Sequence, residues 1–131
     1  MKKINIFISY KYEDKAYVDG LKGLLQNPNN QYRHRGISEN KDFSDRGAPN
    51  IKDYLRGEIR IGDALICLIG KDTHTSEWVI YELEASKSMG KKIVAVRIPN
   101  TRGGKPQLLE KWNIPETKWD AREINNALSR T

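Results

Sequence analysis

Ala64-Leu65-Ile66-Cys67-Leu68-Ile69 is the stretch of sequence that decides the fold. It is a continuous apolar run with Gly62-Asp63 before it and Gly70 after it. Such a run is typical of a central parallel strand that is buried on both faces. Working outward, Ile4 to Tyr10 and Ile93 to Ile98 are short, apolar and rich in β-branched residues, so they predict two more buried strands.

Segments with helical spacing alternate with these strands. We predict helices at Glu13–Gln26, with Asp14 as its cap, around Ile51–Ile59, at Glu77–Met89, with Gly90 just past its end, and at Asp120–Arg130, with Asp120 as its cap. Weaker strands are predicted at Gln31–Arg35 and Ile114–Trp119, and loops at Gly36–Asn50 and Pro99–Lys105. The alternation predicts a flavodoxin-like α/β domain of three layers, with a five-stranded parallel sheet of order 2-1-3-4-5 and helices on both faces. Residues 1–131 are expected to form this single domain.

Composition excludes several classes of function. The single cysteine, Cys67, lies inside an apolar run, so we expect a buried structural thiol rather than a nucleophile. The only histidines are His34 and His74, which are far apart in sequence. Together with a single cysteine they do not give the ligand spacing of a metal site, so no metal is expected. No segment has the length of a membrane span or a signal-peptide core, so we expect a cytoplasmic protein without a membrane partner.

The net charge of +6 arises mainly in the last third of the chain. Residues 91–131 contain 9 of the 23 Lys and Arg but only 4 of the 17 Asp and Glu. These cations are scattered and are not interleaved with aromatic residues, so the pattern favours a solvated basic face over a nucleic-acid surface. We therefore expect no nucleic-acid partner.

In a doubly wound sheet, ligands bind beyond the carboxyl ends of the strands, where the strand order reverses. This rule brings Ser9, Tyr10 and Lys11, the residues after Ile69, and the start of the Glu77–Met89 helix around one crevice. On that helix Trp78 and Glu82 are four residues apart and share a face. Spacing alone favours an ordinary surface glutamate, but the apolar neighbours of Glu82 make it a candidate site residue.

Two other features near the crevice have competing interpretations. Lys11 is suited to bind a phosphate or a ribose, or it is a solvated loop residue, and the residues alone do not separate the two. Asp45-Arg46-Gly47 in the long loop could border a pocket, although Asp and Gly favour turns in any case. No Walker motif and no G-x-G-x-x-G is present in the sequence.

Several motifs of the chain resemble those of TIR domains, above all the TIR-like proteins of bacterial Thoeris antiphage systems. The likeness extends over about residues 3–100 and rests on Phe7-Ile8-Ser9-Tyr10, Asp45-Arg46-Gly47, Leu65 to Gly70, Trp78-Val79 and Tyr81 to Ala85. The resemblance implies that Glu82 is catalytic and that Tyr10 and Lys11 contact substrate. Together with the crevice argument, it makes Ser9, Asp45 and Trp78 further candidate substrate-binding residues. It implies cleavage of the nicotinamide–ribose bond of NAD, which is then a substrate and not a cofactor.

The same resemblance implies a cyclic ADP-ribose-type signal that acts on a separate effector protein in antiviral defence. Self-association is left open. Two alternatives stay beside this hypothesis: a non-catalytic TIR interaction or assembly module, and an enzyme like the nucleoside deoxyribosyltransferases, which use a similar sheet and a glutamate nucleophile. Lys11 stands where an arginine is common, and it offers a point charge rather than a fork.

Overall fold

The computed structural model describes residues 3–26, 33–39 and 48–129. Within these ranges the strands are all parallel, and they are β1 Lys3–Ser9, β2 Arg33–Glu39, β3 Ala64–Ile69, β4 Lys92–Arg97 and β5 Glu116–Thr117. The helices are α1 Ala16–Leu25, α2 Ala48–Ile61, α3 Glu77–Ser88, α4 Gln107–Lys111 and α5 Ala121–Ser129. Short 3-10 turns precede α1 at Tyr12–Asp14 and α3 at Thr73–Thr75. Helices therefore alternate with strands through most of the described chain.

The predicted sheet of five full strands is wrong. Four strands of six or seven residues lie in the order β2-β1-β3-β4, and beyond β4 only Glu116–Thr117 pair, with Ala95 and Val96. The predicted fifth strand, Ile114 to Trp119, is reduced to these two residues. Pro115 has no N–H to donate to a ladder, and Asn113 turns the chain with a φ of 57° just before it.

The second strand and the following loop also differ from the prediction. β2 starts at Arg33 and continues to Glu39, inside the predicted loop Gly36–Asn50, because its backbone pairs with β1 from Lys3 to Ile8. At the other end of that loop, α2 begins at Ala48 with Pro49 in its first turn, a position where proline is tolerated. Residues 40–47 lie outside the described part of the chain.

The core has two layers, one on each face of the sheet. Because side chains alternate along a strand, Ile8 and Ile66 face α1 and α5, while Phe7 and Leu65 face α2 and α3. All six residues of β3 are buried, as predicted for a central parallel strand. The predicted strands β1 and β3 and the predicted helix α3 are thus all present.

The central strand gives a test of the core. Ile66 is fully buried, whereas Ile61 at the end of α2 is 66% exposed. Ile66→Ala should lower the free energy of unfolding by about 2–5 kcal/mol, because it removes buried methylene groups and leaves a cavity. The same substitution at Ile61 should change it by less than about 0.5 kcal/mol. Urea denaturation of both variants measures the difference, and equal losses would contradict the described core.

Candidate functional site

Both ends of α3 are fixed by capping, and this sets which of its residues face the sheet. The Ser76 side chain accepts a hydrogen bond from the Val79 N–H, 3.2 Å long, at the first turn. At the other end Gly90 has a φ of 69°, and its N–H and that of Lys91 donate to the carbonyls of Lys87 and Ser86. This is the Schellman arrangement, so the prediction of Gly90 as the residue after the helix is confirmed.

With its ends fixed, α3 directs Glu82 into the layer between the helix and the sheet. Glu82 is fully buried there beside Val79 and Leu83, which belong to the apolar core. The Ser9 hydroxyl, at the end of β1, donates a hydrogen bond to Glu82 Oε1 over 2.6 Å. Ser9 is also fully buried. A short bond between a hydroxyl and a carboxylate oxygen is typical of a charge-assisted hydrogen bond.

Cys67 lies beside this pair but has a structural role. It is the residue of β3 that pairs with Ser9 of β1. Burial raises the pKa of the Cys67 thiol far above its ordinary value, and the nearby Glu82 carboxylate raises it further. The residue therefore stays a thiol rather than a thiolate at neutral pH, and the prediction of a buried structural cysteine is confirmed.

The other predicted site residues are distributed around the exit of β1. Tyr10 is buried in the layer on the α1 and α5 side, opposite to Ser9, because adjacent strand residues point to opposite faces. Lys11 Nζ donates to Thr75 Oγ1 over 2.8 Å and forms an ion pair with Glu13 at 2.9 Å. Lys11 therefore joins the β1 exit to the turn before α3.

Trp78 lies one turn before Glu82 and is half-buried. Its ring meets that of Tyr81 edge to face, with 6.4 Å between the centroids. The structure thus joins Ser9 to Glu82 directly, whereas Lys11 contacts the turn before α3 and Trp78 contacts Tyr81. The remaining predicted residue, Asp45, lies outside the described residues.

Asp14 is a residue near the site whose position the sequence does not predict. The expectation that it caps α1 is wrong, since the residue before α1 is Lys15, which makes no capping bond. Instead the Asp14 carboxylate packs against Gly70, so closely that a Cβ at position 70 would overlap it. Burial raises the pKa of Asp14, and the nearby Glu13 carboxylate adds to this, while Lys11 opposes it. In the sequence, only the presence of glycine at position 70 is consistent with this close approach.

A separate cavity of about 890 Å³ lies along the outer side of α3. Ile80 and Glu84, which flank Glu82 in sequence, line it together with His74 from the turn before α3. The other lining residues belong to α4 and the segment before it: Lys105, Gln107, Leu108, Glu110 and Lys111. α4 was not among the predicted helices, since its five residues are too few to establish a helical period. The cavity has a volume in the range of small-molecule sites, but its charged residues are of both signs.

Two negative findings apply to the described residues. Within ranges 3–26, 33–39 and 48–129, no three His, Cys, Asp or Glu side chains are grouped so that they could hold a metal ion. Over the same part of the chain, no helix has both the length and the apolar character that crossing a bilayer requires.

Two solved structures resemble the fold over most of the chain. The TIR domain of the Toll-related receptor TRR-2 from Hydra magnipapillata matches with a TM-score of 0.58 and 16% identity, over 86% of this chain and 83% of that one. A 2-desoxiribosyltransferase from Leishmania mexicana matches with a TM-score of 0.54 and 20% identity, over 87% of this chain and 73% of that one. At these identities the likeness shows the fold alone, which is that of TIR domains and related α/β proteins.

The family follows from the sequence itself. The model of the family described as "Thoeris protein ThsB, TIR-like domain" matches residues 7–103, well over half of the chain. The chain therefore belongs to this family, and the resemblance found in its motifs is confirmed. No curated protein matches the chain.

The partial burial of Asp14 predicts how the stability of the protein depends on pH. Because the pKa of Asp14 is raised on folding, the stability that it contributes is present below its ordinary pKa of 3.8 and is lost as the pH rises through the raised value. Asp14→Asn, which cannot ionise, should therefore melt at a higher temperature than the unmodified protein near pH 7, with the gap closing near pH 3. Thermal denaturation across this range measures it. Asp19→Asn, at an exposed site on α1, is the control, and an unmodified protein that is the more stable at pH 7 would contradict the assignment.

Proposed function

We propose that this TIR-like domain cleaves the bond between nicotinamide and ribose in NAD, with Glu82 as the catalytic residue. The observation that supports this most is the 2.6 Å hydrogen bond from the Ser9 hydroxyl to Glu82 Oε1 at the carboxyl end of β1. Burying a carboxylate in an apolar layer costs free energy unless the charge is paired. A buried glutamate in this position therefore suggests a functional role. Its location at the reversal of strand order is also where ligands bind in such folds.

The chemistry requires only one carboxylate. Nicotinamide in NAD is cationic, so it leaves as a neutral base with the electron pair of the broken C–N bond and needs no proton. The remaining ribose carbon resembles an oxocarbenium ion, whose positive charge a nearby carboxylate stabilises. Attack by water gives ADP-ribose and releases a proton. Attack by a nucleophilic atom elsewhere in the same ligand closes a ring.

Ser9 acts in this proposal as a positioning residue. Its hydroxyl donates to one carboxylate oxygen, which fixes the orientation of the Glu82 side chain. We assign to Lys11 a contact with the phosphates of the substrate and to Trp78 a contact with one of its rings. Lys11 is already engaged with Glu13 and Thr75, so a phosphate must compete with these partners.

The membership of the Thoeris family supports a role in antiphage defence. We propose that the protein acts in the cytoplasm, where NAD is available, and that a cyclic ADP-ribose-type product is the signal for a separate effector protein. NAD is the substrate in this scheme, and no further cofactor takes part.

The central test is the variant Glu82→Gln, compared with a matched variant on the same helix. The glutamine side chain retains an oxygen that accepts the Ser9 hydrogen bond, so the fold is expected to persist while the negative charge is lost. Turnover of NAD, followed by mass spectrometry of the products, should fall by at least about 100-fold. Glu84→Gln removes the same charge two residues away on the exposed side and should leave turnover within about twofold of the unmodified protein.

The alternatives make different predictions for the same proteins. If no NAD is consumed by the unmodified protein, alone or with lysate from phage-infected cells, the enzymatic proposal fails and a non-catalytic assembly module is favoured. The likeness of the fold to a 2-desoxiribosyltransferase motivates the other alternative. Exchange of a labelled free base into a deoxynucleoside, lost in Glu82→Gln, would identify that activity.

A further inference from the structure

The segment between β4 and α4, which we call the strap (Pro99 to Lys105), is held by one arginine. Arg97 Nε and Nη2 donate to the two carboxylate oxygens of Glu116, over 2.9 and 2.7 Å. Its Nη1 donates to the Gly103 carbonyl over 2.6 Å and to Thr101 Oγ1 over 3.4 Å. The guanidinium beside Glu116 also lowers the pKa of that carboxyl group. The planar fork of one side chain thus ties the strap to β5.

The strap lies directly against the exit of β3. Gly104 has a φ of 70°, and a Cβ at this position would overlap the Gly70 carbonyl oxygen and the Lys71 carbonyl group. From the other side Asp14, which follows β1, packs against the same Gly70. The Gly70 N–H in turn donates to Thr73 Oγ1 over 2.8 Å. Gly70 is therefore enclosed by two segments distant in sequence, the strap and the turn with Asp14, and by Thr73 of its own loop.

This enclosure lies where the strand order reverses, next to the exit of β1. Gly104 and Asp14 both pack closely against Gly70 at the exit of β3, so we expect a ligand at this edge to lie over β1, the strand whose Ser9 binds Glu82. We propose that the strap is a fixed wall of the substrate site, and that Arg97 is the residue that positions this wall through Gly103 and Glu116.

For the identity of the ligand, this inference rests on the proposed function. The wall restricts the pose of NAD rather than the chemical step, so its displacement should weaken binding and admit water. Arg97 touches neither Ser9 nor Glu82 among the contacts described, and it acts on the site only through the strap.

Two adjacent glycines provide a matched test. Gly103 and Gly104 share a φ of 70°, so Ala is equally strained at both, but a Cβ on Gly103 meets nothing within 4 Å. Gly104→Ala should raise the KM for NAD by about tenfold and increase the share of hydrolysed over cyclised product, with kcat within about twofold. Gly103→Ala, which keeps the carbonyl that Arg97 binds, should stay within about twofold of the unmodified protein in all three quantities.

Hydrogen exchange of residues 69–73 is measured on the same proteins and needs no turnover. Exchange should be faster by about tenfold in Gly104→Ala than in Gly103→Ala, because only the former displaces the strap from Gly70. Arg97→Lys keeps the charge but loses the guanidinium group that binds Glu116 and Gly103 together, so it should behave like Gly104→Ala. It replaces Gly104→Ala in the test if that variant does not fold. Equal KM values and equal exchange in the two glycine variants would overturn the inference.

The two proposals fail in different ways. If the unmodified protein does not consume NAD, the proposed function fails and the assignment of the strap to an NAD site fails with it, while faster exchange in Gly104→Ala would still show that the strap holds the exit of β3. If NAD is consumed and Glu82→Gln abolishes this, but both glycine variants keep the KM and the product ratio of the unmodified protein, the function stands and the strap is not part of the site.

Discussion

The hydrogen bond from the Ser9 hydroxyl to Glu82 Oε1 joins the first strand to the third helix inside the apolar layer between them. This hydrogen bond depends on three other features of the fold. β1 must pair with β3 in the register that sets Ser9 opposite Cys67, the Ser76 cap must fix the start of α3, and the turn at Gly90 must fix its end. A shift of one residue in strand or helix would turn one partner away from the other. Burial of the pair thus constrains both layers around it.

A buried carboxylate and its hydroxyl donor are poorly suited to a purely structural role, since apolar side chains of similar size usually serve a core at least as well. The other polar side chains near the exit of β1 are engaged in contacts between segments. Lys11 binds the turn before α3, and Asp14 packs on Gly70. The strap adds a third segment to the same edge through Arg97. These contacts pre-arrange the edge of the sheet before any ligand arrives, which is the property expected of a site that positions a substrate.

Residue type and spacing predicted those parts of the fold that depend on local chemistry. The apolar run of β3 and the glycine after α3 follow directly from them, and Asp120 caps α5 as expected. The complete burial of Glu82 does not, since spacing alone favours a surface position for it. The prediction of a fifth strand at Ile114–Trp119 was wrong because Pro115 limits its pairing, and apolar periodicity contains no information on this effect. The extent of β2 could not be predicted, since its pairing with β1 depends on backbone bonds rather than on apolar side chains. The contact between Gly70 and Gly104 joins residues far apart in sequence, so no spacing rule reveals it.

The most direct measurement of the central claim is an experimental structure with a non-cleavable NAD analogue bound. We expect the ribose next to nicotinamide to lie over the exit of β1, within hydrogen-bonding distance of Glu82, with the strap still against Gly70. An analogue bound instead in the cavity between α3 and α4, with the Ser9–Glu82 pair unchanged and enclosed, would contradict it.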